Sequence, residues 1–210
     1  MSTQQAGRQG RRKAATRAAL VAAATNQLAE GRPHASIQEI TEAADVGFGS
    51  FYNHFSSKEE LFDAAVSETL DAHAQVLARA AQGIDDLAER LAVGVRASGR
   101  LQRQLPEMSK VILHHGTTVL TREHGLVARA REDLSAGVVT GRFVSADPGL
   151  SFMLAGGALL GLLQWLEDNP EADAGLATDQ LVENLLTMLG LPPSEARALA
   201  TSHLPASLGA

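Results

Sequence analysis

The chain has 210 residues, no cysteine, 45% hydrophobic residues and a formal net charge of −6. That length supports one large or two small domains with a real core, and the missing cysteine excludes disulfides, thiolate metal sites and cysteine catalysis, in keeping with a cytoplasmic protein. The charge is uneven: residues 1–58 hold seven Lys/Arg against four Asp/Glu, and residues 59–210 hold eleven against twenty, so an amino-terminal module suited to phosphate precedes an acidic body.

Residues 1–10 are polar and glycine-rich and read as a disordered basic arm. The opening MSTQQAGRQGRRKAATRAAL lacks the apolar stretch and cleavage site of a signal peptide. Arg8, Arg11, Arg12, Lys13 and Arg17 lead into a first helix expected from about Arg12 to Glu30, with Arg11, Arg12 and Lys13 suited to phosphate contact. Its buried stripe holds Leu20, Ala23, Ala24, Gln27 and Leu28, and Gly31 is a helix stop. Ser36 and Glu39 have capping-box spacing, and Ile37, Ile40, Ala43 and Ala44 then share one face of a short helix. Asp45, Val46 and Gly47 break it, and a second short helix is expected over Gly47–His54, with Phe48, Phe51, Tyr52 and Phe55 as its aromatic side. Two short helices, a three-residue turn and a basic lead read as a helix-turn-helix.

Phe51 belongs to the core of that pair, while Phe48, Gly49, Ser50 and Asn53 lie on its outward and leading side as candidate base contacts. Phe48 suits a thymine methyl and Ser50 a base or phosphate hydrogen bond. Ser57 and Glu60 again have capping-box spacing, so a helix begins near Lys58, whose ammonium and first-turn amides suit a phosphate; Ser36 offers the same at the preceding helix. Together, Ala22, Leu28, Gly31, Ile40, Ala44, Val46, Gly49, Phe51-Tyr52-x-His54-Phe55 and Ser57-Lys58-Glu59-x-Leu61 resemble the DNA-binding domain of the TetR family of bacterial transcriptional regulators. The resemblance implies phosphate contacts from Tyr52 and His54 and places Gln38 where some relatives read bases. The chain departs from the pattern at Asp45, Gly47 and Thr41, where glycine, a small polar residue and alanine are usual.

From Glu59 onward the pattern is all long helices. The first carries Leu61, Phe62, Ala65, Val66, Leu70, His73, Val76 and Leu77 on one face. Helices are expected from Ile84 to about Leu101, from Pro106 to Gly116, from Arg122 to Ala136 with Gly137 as the stop, from Pro148 to about Glu167, and from about Asp173 or Thr178 to Leu189. No β-pattern competes. The expected architecture is all-α: a three-helix DNA-binding domain at 11–57, a helical effector-binding and dimerisation domain at 58–192, and a loose tail at 193–210.

The most apolar segment, Phe152–Leu163, is about twelve residues with three glycines, short of a membrane span. The helix containing it is apolar around most of its circumference and requires cover on both sides. Leu154, Gly157, Leu160 and Gly161, with Leu181, Leu185 and Met188 of the last long helix, are therefore expected at a two-fold dimer interface, which the resemblance also implies; the alternative is a monomer with a very apolar core helix. A dimer would set two reading helices about 34–36 Å apart and favour a palindromic operator on double-stranded DNA. Family members bind a small effector between the helices of the second domain. Arg103, Met108, Ile112, His114, His115, Thr118, Phe152 and Trp165 are the candidate contacts, joined by Thr117 and Gln164, and the composition suits a hydrophobic or amphipathic effector.

The chemistry-bearing alternatives are thin. A helical di-iron site needs Glu-x-x-His pairs, and the residues three before each histidine are Gly31, Phe51, Leu70, Val111, Ile112, Thr121 and Ala200. There is no H-E-x-x-H, phosphate loop or G-x-S-x-G elbow. No catalytic residue, metal or cofactor is assigned. A helical protein-binding or structural regulator without sequence-specific DNA readout is the other alternative, opposed by the basic lead, Tyr52, His54 and Lys58. The expectation is a homodimeric, ligand-released repressor, the family's usual mode.

Overall fold

A computed structural model describes the backbone of residues 3–123 and 125–204, with side chains from residue 7. The chain divides into two compact units, residues 1–69 and 70–210. The boundary falls inside a helix, not at residue 57 as the motif spacing suggests.

The first unit holds α1 (Thr3–Ala29), α2 (Ile37–Ala43), α3 (Phe48–Phe51) and the first half of α4 (Lys58–Ala80). Helix α1 begins at Thr3, so the part of the expected arm within the described residues is helical. Its glutamines, arginines and alanines form helix readily without an apolar stripe, which is why periodicity missed it. Residues 1–2 of that arm lie outside the described residues. Leu20, Val21, Ala24 and Leu28 bury one face of α1. The helix closes through Gly31, whose φ is 70°, with Gly31 N–H on the Leu28 carbonyl at 3.0 Å and Arg32 N–H on that of Gln27 at 2.8 Å. The turn after α2 repeats this closure with aspartate: Asp45 has φ 52°, and Val46 N–H reaches the Thr41 carbonyl at 3.0 Å. Helix α3 spans four residues, shorter than Gly47–His54, because Gly47 is the N-cap and the chain turns over Tyr52–His54.

The second unit contains the rest of α4, then α5 (Leu87–Gln104), α6 (Pro106–His115), a 3₁₀ segment (Gly116–Thr121), α7 (Gly125–Val139), α8 (Pro148–Asp168), α9 (Ala174–Met188) and α10 (Pro193–Ala200). Asp86, Asp147 and Asp173 cap α5, α8 and α9 by accepting from amides in their first turns. Helix α5 packs along α9, and the two approach closely: a Cβ on Gly99 would fall 2.0 Å from Thr178 Cγ2. Buried Arg96 ties three elements together, donating to Asp179 at 2.7 Å and to the Ser202 carbonyl at 2.7 Å.

Gly137 is no helix stop. It lies within α7, and a Cβ there would meet Phe143 Cδ2 at 2.1 Å; the helix ends two residues later, before Gly141 at φ 74°. Nor are residues 193–204 a loose tail. Ala196 and Ala200, one turn apart on α10, are buried, and small side chains let this short helix lie close on α9 and α5. Residues 205–210 of that tail lie outside the described residues. Helix α8 runs 21 residues and is long and apolar enough by composition to cross a membrane, more than its twelve-residue apolar centre suggested.

Candidate nucleic-acid interface and inner cavity

In the first unit, four aromatic residues divide between inside and outside. Phe51 is 0% exposed, and Phe55 is also buried, while Phe48 and Tyr52 stand 54% and 58% exposed. Tyr52 packs edge-on to both Phe48 and Phe51, at ring distances of 5.9 and 5.2 Å, so the outward pair is braced by the inward one. Gly49 and Asn53 are exposed beside them and Ser50 is half-buried. A Cβ on Gly49 would meet nothing within 4 Å, so nothing inside the subunit demands glycine there. Gln38 is exposed on α2 and donates Nε2–H to Glu42 at 2.9 Å, which fixes its amide. Thr41 is buried, and its hydroxyl turns back to the carbonyls of Ile37 and Gln38 at 2.9 and 3.0 Å, so the departure from alanine costs no unpaired group.

Around this surface, Arg11, Arg12 and Lys13 are exposed on α1. Arg17, by contrast, is engaged with Glu68 at 2.6 Å and stacks over the Phe55 ring at 5.4 Å. Ser36 is occupied by the capping box: its hydroxyl accepts from Glu39 N–H at 3.2 Å, and its own N–H and O–H donate to the Glu39 carboxylate at 2.7 Å. These bonds hold the Glu39 carboxyl below its ordinary range. Ahead of α4 the box is displaced: Ser57 Oγ accepts from Glu60 N–H, but the Glu60 carboxylate reaches Ser56, at 2.7 Å to N–H and 2.6 Å to the hydroxyl. Lys58 stands half-buried over the Phe62 ring at 6.0 Å. His54 is half-buried too, and burial followed by Lys13 and Arg17 lowers its affinity for a proton, so it offers a neutral N–H.

The second unit encloses a cavity of about 370 Å³. Its walls are chiefly apolar, with Leu77 from α4, Leu91 and Val95 from α5, Leu134 from α7, and Phe152, Leu159 and Leu163 from α8. The polar groups in the wall are few. His73 is 6% exposed, and its Nε2 lies 3.2 Å from Ser98 Oγ. Burial alone pushes its pKa down to about 4. Arg90 and Asp133 form an ion pair at 2.9 Å, and burial outweighs Arg90 in raising the Asp133 carboxyl.

Of the sequence candidates for this space, Ile112 and Phe152 line it; Arg103, Met108, His114, His115, Thr118, Trp165, Thr117 and Gln164 do not. Arg103 instead closes the carboxy-terminal end of α8, donating to the carbonyls of Leu166, Asn169 and Ala172 at 2.8–3.0 Å. His114, Thr117, Thr118, Gln164 and Trp165 are exposed on the outside, where long polar side chains reach water more cheaply than a cavity. His73 was visible in the sequence as a histidine in the apolar stripe of α4; Ser98, Arg90 and Asp133 carried no comparable signal.

The expected interface residues also separate. Leu154 is 52% exposed, and Gly161 and Met188 are exposed, with nothing within 4 Å of a Cβ on Gly157 or Gly161. Leu150, Met153 and Trp165 extend the same uncovered α8 surface, and Leu181 is half-buried. Leu160 and Leu185 face inward instead and line the cavity. Because α8 is apolar on both sides, its composition does not separate its cavity-facing from its outward leucines. Among the described residues no group of three His, Asp or Glu is placed to hold a metal ion.

A family model described as "Bacterial regulatory proteins, tetR family" matches residues 20–65, and one described as "Tetracyclin repressor-like, C-terminal domain" matches residues 86–202. Among solved structures, ligand-free RolR is 30% identical, covering 90% of this chain and 98% of its own, with a TM-score of 0.72. RolR in complex with resorcinol is 28% identical over 94% of this chain and 98% of that one, with a TM-score of 0.66. A putative TetR-family regulator from Shewanella sp. PV-4 shares the fold at 16% identity, with a TM-score of 0.74 over 84% of this chain and 99% of its own. No curated protein matches the chain.

Proposed function

The chain belongs to the TetR family of bacterial transcriptional regulators, and from that premise we propose that it is a homodimeric repressor released from a palindromic operator by a small hydrophobic or amphipathic effector. The observation that carries the reading is the division of aromatic residues around α3. Phe51 and Phe55 hold the helix from within, and Phe48, Gly49, Tyr52 and Asn53 are left facing out. Phe48, Gly49, Ser50, Asn53 and Gln38 contact bases. Arg11, Arg12, Lys13, Tyr52, His54 and Lys58 contact phosphate, His54 as a neutral donor. Ser36 contributes through the α2 start it caps, since its hydroxyl is already engaged.

The uncovered apolar face of α8, with Leu154, Gly157 and Gly161, and Met188 of α9 supports the two-fold dimer. The apolar cavity supports effector binding, and RolR, which was crystallised with resorcinol, points to a small aromatic compound as one such effector. Binding then shifts the population between DNA-compatible and incompatible dimers.

Selecting bound fragments of genomic DNA with the purified protein tests the proposal and yields the operator with its half-site spacing. Lys58→Ala should weaken binding to every sequence and lower the log–log salt slope by about one. Ser50→Ala should change operator preference instead. Weak binding without sequence preference, or a monomer by light scattering at micromolar concentration, sinks the reading.

A further inference from the structure

The inner cavity is longer than it is wide. Its wall residues run from Leu70 to Ala81 on α4, from Leu87 to Ser98 on α5 and from Phe152 to Leu163 on α8, each stretch about 16 Å long at the rise of an α-helix. These helices lie along one another, so the lengths coincide. His73 of α4 meets Ser98 of α5 at 3.2 Å towards one end, and Ala80 and Val93 share a buried cluster towards the other. Helix α7 follows α4 in the same direction: a Cβ on Gly125 would lie 3.2 Å from Asp71 Oδ1, and two turns later Asp133 reaches Arg90 at 2.9 Å. Helix α8 runs with α5, and their carboxy-terminal ends meet where Arg103 donates to the Leu166 carbonyl at 2.9 Å. A space of about 370 Å³ drawn out along these helices has the girth of one hydrocarbon chain.

The two ends differ. Among the described wall residues, Ala78, Arg129 and Ala130 alone are exposed, so the cavity opens between α4 and α7. Ser98, Ile112 and Leu163 are buried and close the far end. The charged wall residues, Arg90, Arg129 and Asp133, all stand towards the opening, while His73 at the closed end is kept neutral at ordinary pH by burial. Arg90 and Asp133 answer each other. Arg129, one turn before Asp133 on the same side of α7, has no hydrogen bond or ion pair among the described residues, which leaves one uncompensated positive charge at the rim. Resting on the reading of this cavity as the effector site, we propose that the effector is a single-tailed amphiphile with a monoanionic head, in chemistry a straight-chain carboxylate, whose head pairs with Arg129 at the opening and whose tail ends against Ile112 and Leu163.

Calorimetric titration of the full-length protein with straight-chain carboxylates from octanoate to hexadecanoate, each below its micelle threshold, tests this. Affinity should climb about fourfold with each added methylene, the scale of burying one. It should level off between about twelve and fifteen carbons, where the space is full if the roughly 150 Å³ that accommodates the six carbons of benzene sets the scale. Ile112→Ala deepens the closed end and should move that plateau to longer chains; Ile112→Phe should move it to shorter ones, and either variant decides if the other fails to fold. Arg129→Gln, on an exposed side chain, should weaken decanoate about tenfold, the scale of a hydrogen bond to a charged group, and leave decanol unchanged. Wild-type affinity that rises through hexadecanoate without a plateau, a plateau unmoved by the Ile112 variants, or 1-naphthoate tighter than every chain overturns the tail assignment. Decylamine binding as tightly as decanoate, or decanoate indifferent to Arg129→Gln, overturns the head. Each of these leaves the cavity as the effector site. Failure of every probe to bind, or binding that leaves the operator complex intact, removes the reading of the cavity as that site, and the proposal with it.

Discussion

In the first unit, Phe51 and Tyr52 are neighbours in sequence with opposite fates: one is sealed in the core and the other stands in water. In the second unit, neighbours along α8 such as Leu159 and Leu160 both wall the same cavity, and many apolar residues would serve in place of either. The contrast follows from what each region has to meet. A duplex has fixed groove dimensions and phosphate spacing, so a reading head needs particular side chains at fixed offsets. A cavity for a small molecule needs volume, apolar walls and a few polar groups, and many sequences supply those.

The largest test of this contrast is Phe51→Ala. Emptying a fully buried ring site should cost about 3–5 kcal/mol and abolish DNA binding, while titration of a cavity ligand into the same protein proceeds unchanged. Loss of both activities together would break the distinction between the two units.

The next effect belongs to the body and appears in acid. Burial lowers the His73 pKa to about 4 from an ordinary 6.5, so the folded protein takes up that proton later than the unfolded chain. The site has no effect on stability above pH 6.5, and stability is lost as pH falls from 6.5 towards 4, approaching about 3 kcal/mol. Urea unfolding at pH 7 and pH 4.5 measures the difference, and His73→Phe should remove most of it.

Much of the head was legible before any coordinates. Ser36 and Glu39 form the capping box their spacing announced, Phe51 is core, and Gly31 ends α1. The start of α1 was not, because a helix with no buried side leaves no periodic trace. In the body, the helix starts at Pro148 and near Asp173 were readable as local chemistry. The polar side of the cavity was not: residues chosen for reach, such as Arg103 and His114, satisfy backbone carbonyls or face water, and the polar groups that line the space come from α4, α5 and α7 through tertiary packing alone.

Gly137 sharpens that lesson. As a helix stop it would tolerate alanine poorly for backbone reasons; as a contact surface it excludes a methyl group because Phe143 lies 2.1 Å from where it would sit. Gly137→Ala should destabilise by about 1–3 kcal/mol. Gly94→Ala within α5, where a Cβ meets nothing within 4 Å, should gain up to about 1 kcal/mol in thermal unfolding. The smallest effect returns to the head: Ser36→Ala removes one side of the capping box and should cost about 1 kcal/mol, with cavity binding unaltered.

The outer surface of α8, bearing Leu150, Leu154 and Trp165, has one more consequence. When a second copy covers such a face, association adds to the free energy of folding, and the melting temperature rises with the amount of protein present. A cell holding a few dozen molecules of this regulator would then keep each of them less securely folded than a cell holding thousands, so dilution at division would itself weaken the switch.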